Sequence, residues 1–313
     1  MSNWKGIRYL LGILLALPLL GCSSVGQNDA PKAQPKPEPA SLILATPLQV
    51  SYQSELALAR LGQMLSEMEL TKEQRAELFY ERAVVFDKVG LRSLARLDFT
   101  RALREKPDFA EAYNFIGVYL VQQQNYDEAY EAFDSALELA PDYDYAYLNR
   151  GIALYYGNRS DLAAADIKRF YEAQPEDPYR QLWLFMAEAK LDQGKARRNL
   201  RERFNSGHDD NWNWDLVRLY LGDINPTQLM GNVVKGVKDN RELAERLCET
   251  YFYLGKLELA KGNRKEAISY FKLALANNVY DFIEHRYSLL ELELMSRKKQ
   301  SGADANAKKQ ASI

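Results

Sequence analysis

The chain has 313 residues, 47% hydrophobic and 27% charged, with a formal charge of −2. That length and balance allow one large domain or two smaller ones. The mildly acidic charge gives no reason to expect nucleic acid as a partner, since that needs a basic stripe to displace counterions.

The first 22 residues read as a secretory signal. Lys5 and Arg8 precede an apolar run from Tyr9 to Leu20, twelve residues and too short to cross a bilayer, which takes ~20. The run ends in Leu19-Leu20-Gly21-Cys22, which resembles the lipobox of bacterial lipoproteins, although Leu20 stands where Ala or Ser is usual. The resemblance implies cleavage after residue 21 and lipidation of Cys22. Ser23 and Ser24, in place of the Asp that retains such proteins at the inner membrane, imply the periplasmic face of the outer membrane. The only membrane contact expected is that lipid anchor, since two or more acyl chains hold a protein stably. Residues 22–47 read as a flexible linker: Pro31, Pro35, Pro37 and Pro39 forbid helix and favour extended backbone. At its end, outside the repeats, "SLILATPL" (41–48) is apolar, and is expected to pack either on the folded domain or on a second subunit.

Residues 48–297 read as helical throughout. A first helix falls within Pro47–Glu69, and Thr71 with Gln74 forms a capping box for the next. Pro107, Pro141 and Pro175 then follow one another at 34-residue intervals. Behind each lie matched positions: small residues at Ala83, Gly117 and Gly151, and large ones at Phe99, Phe133 and Ile167. This is the tetratricopeptide period and signature, a helix–turn–helix unit. Repeats are read at 76–109, 110–143 and 144–177. A fourth, at 248–281, carries Tyr251, Gly255, Ala267, Phe271 and Ala274, with Val279 in place of the proline. Residues 178–247 read as degenerate helices with turns near Gly222 to Pro226, and 298–313 as a basic, disordered tail. The fold class is therefore all-α: a solenoid of helical hairpins with flanking helices.

No motif supports catalysis, a metal or a cofactor. His208 and His285 are far apart, and no His-x-x-x-His, Cys-x-x-Cys or Gly-x-Ser-x-Gly occurs. "KLDQGKA" has Ala189 where a P-loop needs its first glycine, and no hydroxyl residue follows Lys195. Cys248 is the second cysteine, read as a small buried hydrophobe or, alternatively, as an intermolecular bridge. Such a solenoid binds on its concave face. Repeat phase turns inward Tyr80 and Val84, then Asn114, Val118 and Val121, then Tyr145, Leu148, Asn149, Ile152, Tyr155 and Tyr156. Tyrosines with apolar bodies and polar tips suit protein recognition. The Tyr155–Tyr156 strip is open to a second reading, in which an extra helix of the same chain, or of a second subunit, fills that part of the groove.

Beyond the repeats, the chain resembles the NlpI family of bacterial lipoproteins. The likeness is carried by "LFYERA" (78–83), "EAYNFIGVYL" (111–120), "AYEAFDSALEL" (129–139), "YAYLNRGIALYYGNR" (145–159), "FYLGK" (252–256) and "FKLALANNVYDFIEHRYSLLEL" (271–292). The basic tail departs from the acidic one associated with that family. The resemblance implies a homodimeric adaptor without enzymatic activity. It would bring a tail-specific protease of the Prc type to a cell-wall endopeptidase of the MepS type, and organise other peptidoglycan hydrolases. A stand-alone assembly factor for other outer-membrane complexes is the alternative.

Overall fold

The structure, a computed structural model, describes residues 42–311, with side chains through Arg297. The expectations for the leader, for Cys22 and for residues up to 41 lie outside the described residues. Fourteen helices and no strand occur among the described residues. They are α1 (Tyr52–Glu67), α2 (Lys72–Lys88), α3 (Arg92–Glu105), α4 (Ala110–Gln122), α5 (Tyr126–Leu139), α6 (Asp144–Tyr156) and α7 (Ser160–Ala173). There follow α8 (Pro178–Ala189), α9 (Gln193–Ser206), α10 (Trp214–Leu221), α11 (Pro226–Val233), α12 (Asn240–Ala260), α13 (Arg264–Leu275) and α14 (Ile283–Ala311). The fold is an all-α solenoid in which α2/α3, α4/α5, α6/α7, α8/α9 and α12/α13 pack as hairpins.

The small and large positions of the repeat face each other inside each hairpin. A Cβ added to Gly117 would sit 2.6 Å from Phe133, one added to Gly151 2.5 Å from Ile167, and one added to Gly255 2.6 Å from Phe271. In the first repeat the same place is taken by Ala83, buried with Phe99. Omitting a side chain lets the two backbones close on one large residue, which fills the gap at interior density. The turn inside the hairpin of each of the four repeats carries one left-handed residue, in the first three at the repeat interval: Gly90 (φ 82°), Gln124 (φ 65°) and Asn158 (φ 60°), with Gly262 (φ 85°) in the fourth. Each repeat's second helix ends one residue before the cap that precedes Pro107, Pro141 or Pro175, since proline cannot continue the ladder.

The flanking elements follow their local signals. Ser51 caps α1, and the Thr71–Gln74 capping box is formed in both directions. Asp177 caps α8 with Pro178 in its first turn, and Gly222, left-handed, closes α10. One boundary differs: α12 begins at Asn240, eight residues ahead of the repeat phase. Asp239 caps it there, and Ala244 and Leu247 bury on its added turns. Cys248 is a buried free thiol packed with Val279, Ala45 and Leu48. α14 continues in the backbone to Ala311, across most of the segment read as a disordered tail, whose Ala, Lys and Gln content favours helix.

Residues 43–48 lie on the chain's own repeat instead of continuing the linker. The Tyr251 hydroxyl donates to the Ile43 carbonyl, and Thr46 exchanges two 2.9 Å hydrogen bonds with the Asn240 side chain. The Leu48 amide donates to the Asn277 carbonyl at 3.1 Å.

Gly117→Ala is expected to destabilise the chain by about 1–3 kcal/mol through overpacking. Phe133→Leu in the same chain should recover part of that loss, a non-additivity that urea unfolding of the two single variants and the double variant measures.

Candidate functional site: the concave cleft

The concave face is lined by the first helix of each hairpin, but α14 crosses part of it. Two buried ionic clusters hold α14 there. At its start, Arg286 donates to both carboxylate oxygens of Asp87 on α2, and the Tyr119 hydroxyl of α4 donates to Asp87 at 2.5 Å. One turn and a half later, Glu291 accepts from Lys256 of α12 at 2.5 Å and from the Tyr156 hydroxyl at 2.9 Å. Burial opposes the charge on Lys256, but Glu291 and the Tyr155 hydroxyl together outweigh it and hold the ammonium above the ordinary lysine range. Rings complete the joint: Tyr156 stacks on Tyr287 at 5.5 Å, and Trp183 meets Tyr287 edge-on at 5.9 Å.

This arrangement corrects five of the groove candidates. Tyr155 and Tyr156 are engaged by the chain's own α12 and α14. Lys256 donates to the Tyr155 hydroxyl at 3.1 Å and Tyr156 is buried against Glu291 and Tyr287. The self-packed reading of that strip is the one the geometry supports. Val121 and Ile152 are fully buried in the main core, and Val84 packs in the core of the first repeat. Repeat phase carries no signal for the helix that meets Tyr156 from 135 residues downstream.

The other six candidates come together. Tyr80, Asn114, Val118, Tyr145, Leu148 and Asn149 line one open cleft of about 580 Å³ between the repeats and the start of α14. Asn149 donates to Asn114 at 3.0 Å, and Asn114 to the Tyr143 hydroxyl at 3.3 Å, a side-chain ladder along the cleft wall. Tyr145 is 58% exposed and leans on Phe170. Arg180 lies over the Phe170 ring at 3.7 Å, with Asp144 3.6 Å away.

Sequence reasoning missed the opposite wall. It carries Asp177, Glu249, Asp281 and Glu284. Tyr179 donates to Glu249 at 2.8 Å and Tyr253 to Glu284 at 3.3 Å. Burial pushes the Glu284 carboxyl up to about 7, and burial together with the Glu284 charge holds Glu249 well above the glutamate range. In sequence these acids look like members of a solvated helix face. Their one cue is the aromatic and aliphatic residues beside them, Tyr251 to Leu254 and Phe282 to Tyr287.

Neither histidine lies in the cleft. His285 is buried beside Arg92, with its pKa lowered to about 4 by burial and by that guanidinium, and His208 stacks on Phe204. No group of three or more potential metal ligands occurs among the described residues.

A tetratricopeptide-repeat family model matches residues 80–144 and 119–178. The chain carries tetratricopeptide repeats. Among solved structures it is similar to MamA, with 17% identity over 49% of this chain and 87% of that one, and a TM-score of 0.43. It is also similar to a tetratricopeptide repeat protein from Parabacteroides merdae, with 19% identity over 77% and 78% and a TM-score of 0.45. A third is the pilF protein of Pseudomonas aeruginosa, with 18% identity over 79% and 90% and a TM-score of 0.42. Tetratricopeptide repeats imply a scaffold for protein–protein interaction.

Two outcomes follow for the joint and the acidic wall. Lys256→Met is expected to cost about 3–5 kcal/mol by stranding Glu291, and Lys256→Met with Glu291→Leu to restore most of it, as read by chemical unfolding. Glu284 binds its proton more tightly folded than unfolded, so its stabilising contribution is full below the ordinary glutamate value and is lost as pH rises through about 7. Glu284→Gln should therefore raise Tm by a few degrees at pH 8.5 and leave it little changed at pH 5, a difference that calorimetry at the two pH values detects.

Proposed function

We propose that the chain is a non-catalytic adaptor: a lipoprotein held at the periplasmic face of the outer membrane through Cys22, which gathers a tail-specific protease and a cell-wall endopeptidase on one scaffold. The observation that carries the scaffold reading is the open cleft on the concave face, whose repeat-side wall presents Tyr80, Tyr143 and Tyr145 beside the Asn114–Asn149 ladder. Those groups offer apolar area and hydrogen-bonding tips to a peptide without any arrangement of nucleophile and base. The protease and endopeptidase rest on the resemblance to the NlpI family, whose quoted segments span α2 to α14. Homodimerisation rests on the same resemblance. Holding client and protease together raises their effective concentration to about the millimolar range with no new chemistry.

Full-length chain, purified in detergent and immobilised, is to be exposed to a periplasmic extract and the retained proteins identified by mass spectrometry. Retention of a tail-specific protease together with a peptidoglycan hydrolase is expected. Tyr145→Ala/Asn149→Ala, with an unchanged helical circular-dichroism spectrum, should lose the hydrolase and keep the protease. Retention of neither enzyme by the unaltered chain overturns the adaptor reading, and a co-retained outer-membrane assembly complex in their place would favour the assembly-factor role.

A further inference from the structure

The cleft is chemically two-sided. The repeat side is aromatic. The side built by α8, α12 and the start of α14 carries Asp177, Glu249, Asp281 and Glu284, and none of the four enters an ion pair among the described residues. The two arginines that reach the cleft are already committed, Arg180 to Asp144 and the Phe170 carbonyl, and Arg286 to Asp87.

Among the described residues, the surroundings of Glu249 and Glu284 supply no other cation. α8 contributes Asp177, whose Oδ1 is occupied in capping its own helix, and the Tyr179 hydroxyl. α12 contributes Glu245, which pairs outward with Arg241, and the Tyr253 hydroxyl, backed by Tyr220 of α10. α14 contributes Arg286, held by Asp87, while His285 faces Arg92. The charged groups that act on Glu249 are carboxylates: Glu284, Glu245 and Asp177. A buried and a half-buried carboxyl, each hydrogen-bonded by a tyrosine hydroxyl but with only acids as charged neighbours, keep a proton until a positive charge arrives.

We infer that the cleft, read as the partner site above, recognises a peptide through one lysine or arginine side chain, received between Glu249 and Glu284 while the flanking apolar residues lie on Tyr145 and Phe170. A side-chain ammonium or guanidinium brings the charge that the acidic wall lacks, and the proton of the pair leaves to solvent on binding. The nearby rings add cation–π attraction. A peptide is the occupant because the cleft is open and extends from Tyr80 of the first repeat to Trp183 of α8, well beyond the reach of a small amine. Because the carboxyls must shed a proton, affinity for the cation increases with pH across the range in which Glu284 titrates.

The test uses the full-length chain in detergent and two fluorescent heptapeptides, acetyl-Gly-Leu-Phe-Lys-Leu-Ala-Gly-amide and the same peptide with norleucine for lysine, titrated by fluorescence polarisation at pH 5 and pH 8. At pH 8 the lysine peptide should bind about tenfold tighter than the norleucine peptide, and at pH 5 the advantage should fall to about twofold or less. Glu249→Gln/Glu284→Gln removes the charge while keeping the shape. It should erase the lysine preference at both pH values and leave norleucine binding in place, which also shows that the variant is folded. Equal binding of the two peptides at pH 8, weakened for both by Tyr145→Ala, overturns the cation inference and keeps the cleft as a peptide site. Absence of binding by either peptide, or lysine binding that n-butylamine matches, overturns the inference too. The extract experiment then decides independently whether the scaffold reading survives.

Discussion

The ion pair between Asp87 and Arg286 joins parts of the chain that the repeat itself would never bring together. In a solenoid each hairpin touches only its neighbours. Here the first repeat is tied to the last helix, 199 residues away, by a buried bidentate contact that the Tyr119 hydroxyl completes. Lys256 and Glu291 make a second tie on the same helix. Buried pairs of this kind contribute little net stability against an apolar replacement, but breaking one half is costly, so they specify one position of α14 rather than merely strengthening it. The cleft exists because that position is specified: its far wall is the start of α14, and its length is set by where the helix stops covering the repeats.

Two classes of interaction thus divide the work. The hairpins depend on sterics, on an absent Cβ at Gly117, Gly151 and Gly255 opposite one large side chain. The closure depends on charge and hydroxyl groups that have no counterpart in the repeat pattern. The cleft lies where the two meet, which is why one wall is aromatic and regular and the other acidic and irregular.

The same division explains what was legible in the sequence. Steric repeats recur at a fixed interval, so Pro107, Pro141 and Pro175 and the small–large positions were enough to read hairpins, their phase and the inward face. The turn residues Gly90, Gln124 and Asn158 obey that interval too, though their three residue types hide it. The acidic wall obeys no interval. Glu249 and Glu284 come from different helices, their partners Tyr179 and Tyr253 from α8 and α12, and nothing in local composition distinguishes them from surface acids. Tyr155 and Tyr156 stay open between two readings in sequence for a related reason: a tyrosine turned inward by phase reads as available or as self-packed until the helix that meets it is placed. Val121 and Ile152 show the limit of phase itself, because a helix turned toward the concave side still packs its flanks on the next repeat.

A clasp between distant segments also has a history in time. The first three hairpins depend on contacts within a few dozen residues and can form without waiting for the rest of the chain. Asp87 must wait for Arg286, and closing so long a loop carries an entropic cost that local contacts do not. Until α14 is made, the face it covers is bare, with Asp87 lacking Arg286 and Tyr156 lacking Glu291 and Tyr287. A nascent or truncated chain is therefore a different object from the finished one: correctly coiled, yet with an exposed aromatic trough in place of a bounded cleft, the kind of surface that chaperones and proteases read as unfinished.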